Sequence, residues 1–89
     1  MKQEYLEVAF KEGRPLAAYY HFARREGDTS VRCEEAEGGL VVDYAADGRP
    51  IGIEITAPSR LVPSQFNELL TRLGHAPLAP EELAPLTAA

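Results

Sequence analysis

The chain has 89 residues, 9 of them Lys or Arg against 14 Asp or Glu, for a formal net charge of −5. That length suits one domain with a modest core, and the acidic balance opposes direct binding to nucleic-acid phosphates. The single cysteine, Cys33, excludes an internal disulfide, no run approaches the ~18 apolar residues of a membrane span, and the first residues lack a basic-then-apolar leader pattern, so the chain reads as cytoplasmic with neither membrane nor nucleic acid as partner.

In chain order, Leu6, Val8 and Phe10 alternate with Glu7 and Ala9, which predicts a first strand over about Glu4 to Phe10. Lys11 to Pro15 is turn chemistry. From Leu16 to Ala23 a second strand sets Leu16, Ala18, Tyr20 and Phe22 on one face and Ala17, Tyr19, His21 and Ala23 on the other. Both faces are rather apolar, so it belongs inside the sheet. A charged turn, Arg24 to Asp28, leads to a short strand from Thr29 to Glu35 whose charges suit an exposed edge.

Gly38-Gly39 introduces the plainest signal in the chain. Two apolar-rich runs, Leu40 to Tyr44 and Ile51 to Ile55, flank Asp47-Gly48, the pattern of a β-hairpin. Leu40, Val42 and Tyr44 share one face and Val41 and Asp43 the other; Ile51, Ile53 and Ile55 are set against Gly52 and Glu54. Pro50 cannot donate to a ladder and should open its strand or sit at a bulge. The period then changes, with Phe66, Leu69, Leu70 and Leu73 at helical spacing between Pro63 and the stop at Gly74. Residues 1–74 thus form one α+β domain, an antiparallel β-meander of four to five strands with one C-terminal helix packed on one face. Residues 75–89 read as a Pro/Ala-rich tail, extended or mobile apart from one helical turn at Pro80 to Leu83, with Leu78, Leu83 and Leu86 as anchors.

The chemistry-bearing residues are few. Asp43 and Glu54 fall on the polar side of the hairpin, where two carboxylates need an arginine, a donor or a cation between them; Arg32 and Arg49 are the arginines at hand. His21 lacks a neighbouring nucleophile, His75 follows a helix end where a cation offsets the dipole, and Cys33 lies among acidic residues that do not activate a thiol. No catalytic residue, cofactor or metal set emerges, and the chain does not read as an enzyme.

Val42-Asp43-Tyr44, the Asp47-Gly48 turn and Ile51-Gly52-Ile53-Glu54-Ile55 together resemble the hallmark of the small bacterial family called domain of unknown function 2283. Ala18-Tyr19-Tyr20 takes the place of that family's Leu-Tyr-Ile-like segment, and the resemblance runs from about Glu4 to Leu73. Lys11 to Ala17 departs from it, standing where the family often carries an acidic Asp-Pro-Glu-Ala-Asp segment. The resemblance implies a compact α+β module without an assigned activity, with some members suspected of accompanying toxin-like partners.

One helix covers one side of a sheet, so the apolar and aromatic residues opposite it imply an interface. The reading is a protein-interaction module that self-associates as a homo-oligomer or binds a protein partner, antitoxin-like if the family suspicion applies. Tyr19, His21, Val41, Asp43 and Glu54 are its expected interface residues. The alternative is a small-ligand or metal-binding protein, or a minor enzyme, using Asp43, Glu54 and His21.

Overall fold

The computed structural model describes residues 4–87. Five strands, β1 (Tyr5–Lys11), β2 (Arg14–His21), β3 (Arg32–Ala36), β4 (Leu40–Tyr44) and β5 (Pro50–Ile55), precede a short 3-10 turn (Pro58–Arg60) and two helices, α1 (Pro63–Arg72) and α2 (Pro80–Thr87). All strand pairs are antiparallel. The class is therefore α+β, and the hairpin arms, the opening position of Pro50 and the helix from Pro63 lie where the sequence patterns put them.

The strand order is β1-β2-β5-β4-β3, which corrects the expected meander. After β2 the chain crosses to the far edge, lays down β3, and returns through β4 to place β5 beside β2. Burial explains the choice. Ile51, Gly52, Ile53 and Ile55 of β5 are all buried, so this strand belongs in the centre, whereas Arg32, Cys33, Glu34 and Glu35 of β3 are exposed and suit a rim. Arg49 secures the crossover: its guanidinium bonds Asp28 Oδ1 at 2.8 Å and Asp47 Oδ2 at 2.7 Å, joining the β2–β3 connection to the β4–β5 turn. The same guanidinium holds both carboxyls below the usual carboxylate range.

One side of the sheet carries the core. Ala18, Tyr20 and Phe22 meet Ile53, Ile55, Leu40 and Val42 across the strands, and Phe66, Leu69 and Leu70 of α1 pack against them. Leu16 departs from its predicted face-mates. It is the extra residue of a bulge between the Ala9–Ala17 and Phe10–Pro15 pairs and stands 60% exposed.

The segment after α1 also differs from its sequence reading. α1 closes in a Schellman motif, with Gly74 in the left-handed region at φ 85° and the His75 N–H donating to Leu70 O at 2.8 Å. His75 then stacks on Phe22 with ring centroids 3.8 Å apart and reaches Glu4 Oε2 at 3.0 Å. The Asn67 side chain clamps Leu78 through both its N–H and C=O, at 2.8 and 3.1 Å. Beyond that clamp the chain forms α2 rather than an extended tail. Pro80 stands at its first position, where no N–H is needed, Glu82 accepts the Ala79 N–H at 2.9 Å, and Leu83 and Leu86 are each 1% exposed within the same core cluster.

Candidate interaction face

Because β2, β5 and β4 are neighbours, their alternate residues form two rows on the side of the sheet opposite the core. One row reads Tyr5, His21, Gly52, Asp43 and Cys33; the next reads Glu7, Tyr19, Glu54, Val41 and Glu35. All five residues expected at an interface thus lie together on three adjacent strands. Tyr19, His21, Val41 and Asp43 are partly buried and Glu54 is exposed. The residues of both helices in the core cluster lie with the opposite set of side chains.

Gly52 shapes the middle of this face. With no side chain there, the Tyr19 ring lies across β5, so close that a Cβ built on Gly52 would stand 2.2 Å from the ring's Cε1 and hydroxyl. The Tyr19 hydroxyl thereby reaches from β2 to β4 and donates to Asp43 Oδ2 at 2.6 Å. The other carboxylate oxygen, Oδ1, accepts from Ser30 Oγ at 3.1 Å. Arg24 leans in from the crossover with Nη2 3.4 Å from the Tyr19 oxygen. Partial burial, then the bond to the Asp43 carboxylate, push the Tyr19 hydroxyl well above the ordinary tyrosine range, and Arg24 opposes them weakly. Tyr19 is thus a fixed, protonated donor at neutral pH.

His21 stands beside this network. It stacks on Tyr5 at 4.4 Å, lies 4.6 Å from the Tyr19 ring, and donates through Nε2 to Glu7 Oε1 at 2.8 Å. The Asp43 and Glu54 positions are diagonal rather than directly opposed: Glu54 pairs with Tyr19 and Val41, while Asp43 faces Gly52. The arginines read as their mediators are engaged elsewhere, Arg49 with Asp28 and Asp47, Arg32 with Glu34 and over the Tyr44 ring. Tyr19 and Ser30 hold Asp43 instead. His21, Asp43 and Glu54 are therefore near one another but turned to different partners, and no group of three metal-ligating side chains forms among the described residues. A shallow depression of about 400 Å³ runs over Glu7, Ala9, Ala17, Tyr19 and Glu54.

Sequence reasoning missed Arg24, Ser30 and Tyr5 as parts of this face. The first two lie in an irregular crossover whose path depends on strand order, and only the isolated glycine in an alternating strand signalled a close approach.

The fold and this face define a small α+β module with a one-sided core and a structured, partly aromatic open sheet. Residues 17–58 match the model of the family described as Protein of unknown function (DUF2283), so the resemblance carried by the hairpin motif holds. The match takes in most of β2 and all of β3, β4 and β5, hence Tyr19, His21, Asp43, Gly52 and Glu54, but neither β1 nor the helices, and is narrower than the span from Glu4 to Leu73. No curated protein and no solved structure matches the chain. No helix among the described residues is long and apolar enough to cross a membrane.

Proposed function

We propose that the chain is a protein-interaction module that docks a partner protein on the open side of its sheet, around Tyr19, His21, Val41, Asp43 and Glu54. The observation that carries this reading is the Tyr19 ring lying close over Gly52 and tied through its hydroxyl to Asp43. It makes a rigid platform whose aromatic area costs a partner little ordering entropy, the kind of surface on which binding energy concentrates. Glu7 and Glu35 flank the Tyr19, Glu54 and Val41 row and Glu54 lies within it, which makes the face negative, and the net charge of −5 steers towards it a partner with a basic surface. That is the charge complementarity an antitoxin-like role against a basic enzyme would use. Val41→Lys, which places a cation on the half-buried platform, tests the reading. Partner capture by the tagged chain should be lost in the variant while its circular dichroism and unfolding midpoint stay near those of the parent; capture unchanged by Val41→Lys contradicts it.

A further inference from the structure

The two rims of the sheet are built differently. β3 ends the sheet with Arg32, Glu34 and Glu35 exposed along five residues, a charged edge that opposes strand addition. β1 ends it with seven residues, Tyr5–Lys11, of which Tyr5, Leu6, Val8, Ala9 and Phe10 are apolar or aromatic. Among the described residues it pairs on one side only, with β2. The bulge in that hairpin adds its extra residue, Leu16, to β2, so β1 itself alternates without interruption. Tyr5 and Phe10 are 54% and 56% exposed, and among the described residues Lys11 has no ion pair.

We propose that β1 is the contact between two copies of this chain, paired antiparallel about a two-fold axis at Val8 to give a continuous ten-stranded sheet. The strand is self-complementary in that register. On the core side Leu6 faces Phe10 of the second copy, Val8 faces Val8, and Phe10 faces Leu6. On the open side Glu7 faces Ala9 and Tyr5 faces Lys11, so no like charges stand directly opposite. Leu6 and Val8 already border the core, and the exposed Phe10 of each copy extends that apolar strip across the axis. A register centred on Glu7 would instead set two carboxylates against each other, and pairing through β3 would gather its glutamates. An isologous contact of this kind closes at two copies. The proposal goes beyond the partner-binding reading and does not depend on it, although pairing would set the two open faces side by side.

Single cysteines in a Cys33→Ser background test the register. Residues directly opposite across an antiparallel pair lie ~4.5–5.5 Å apart at Cα, inside the disulfide range of ~4.4–6.8 Å. Val8→Cys should therefore cross-link to its own copy under mild oxidation. Ala9→Cys should not, since position 9 would lie roughly 8 Å from its counterpart, two residues along the strand. Sedimentation velocity of the unmodified chain should show a concentration-dependent dimer. Phe10→Glu, at an exposed site that leaves folding intact, should raise its dissociation constant by about tenfold or more, whereas Val41→Lys should leave it unchanged. A monomer at every concentration overturns the proposal, as does a dimer that ignores Phe10→Glu or cross-links at position 9 in place of 8. A dimer dissolved by Val41→Lys alone also overturns it and assigns self-association to the open face.

Discussion

Tyr19→Phe removes one oxygen atom from the centre of the open face and should cost more than a surface substitution ordinarily does. The lost hydroxyl donates to a carboxylate at 2.6 Å, and both groups are only partly buried. Hydrogen bonds to charged groups contribute ~1.5–3 kcal/mol, and the solvent still reaching Asp43 favours the lower end, about 1.5 kcal/mol. Asp43 keeps Ser30 as a donor, which limits the loss further. For a domain of this size ~1 kcal/mol corresponds to ~4–8 °C, so the thermal midpoint should fall by roughly 6–12 °C. Urea unfolding followed by circular dichroism supplies the free energies. A cycle with Asp43→Ala isolates the pair, and its coupling energy should be about 1 kcal/mol. A Tyr19→Phe variant within ~0.5 kcal/mol of the parent, or a coupling energy near zero, would refute the view that this bond organises the face.

Gly52→Ala should destabilise by about 2–3 kcal/mol, because its Cβ would meet the Tyr19 ring at 2.2 Å and overpacking of this kind costs ~1–3 kcal/mol before the Asp43 bond is counted; in a Tyr19→Ala background the same change should be nearly neutral, and an equal cost in both backgrounds would count against the close approach. Leu86→Ala should cost ~2–5 kcal/mol in chemical denaturation, as expected for a cavity in a core, since Leu86 is 1% exposed; a cost under ~0.5 kcal/mol would mean that α2 is not part of the core. Alkaline titration monitored at the tyrosinate absorbance should show Tyr20 ionising only near its raised value of about 12, set by burial and then by Glu4, with Tyr19 later still. Because folding raises both values, their stabilisation is complete below the unfolded-state value near pH ~10 and declines as pH rises beyond it. Tyr19→Phe should weaken that alkaline decline, and a profile identical to the parent's would exclude Tyr19 as a contributor.

What could be read from the residues follows the range of the interactions involved. The β4–β5 hairpin and α1 were legible because alternation, Asp47-Gly48, Pro63 and Gly74 act within a few positions of one another. Strand order was not, since it turns on whether β5 or β3 can pay the cost of central burial, a comparison between segments separated by all of β4 and its turns. Of α2 only a first turn from Pro80 and the anchors Leu83 and Leu86 were legible, because Pro77, Pro80 and Pro85 read as breakers. Pro80 instead opens the helix, and burial of Leu83 and Leu86 outweighs the one backbone donor that Pro85 removes. At the open face, alternation alone put Tyr19, His21, Val41, Asp43 and Glu54 on one side. The partners of Asp43 were not accessible that way, because Tyr19 reaches it diagonally over a glycine and Ser30 arrives from the crossover.

Site-specific photo-cross-linking in the source cells tests the central claim most directly. A photoreactive residue at position 41, on the open side of β4, should yield a discrete protein adduct that Tyr19→Ala abolishes, while the same residue at position 68, on the exposed side of α1, should yield none. Adducts from position 68 alone, or from neither position, would contradict an account in which the uncovered side of the sheet is where this protein meets its partner.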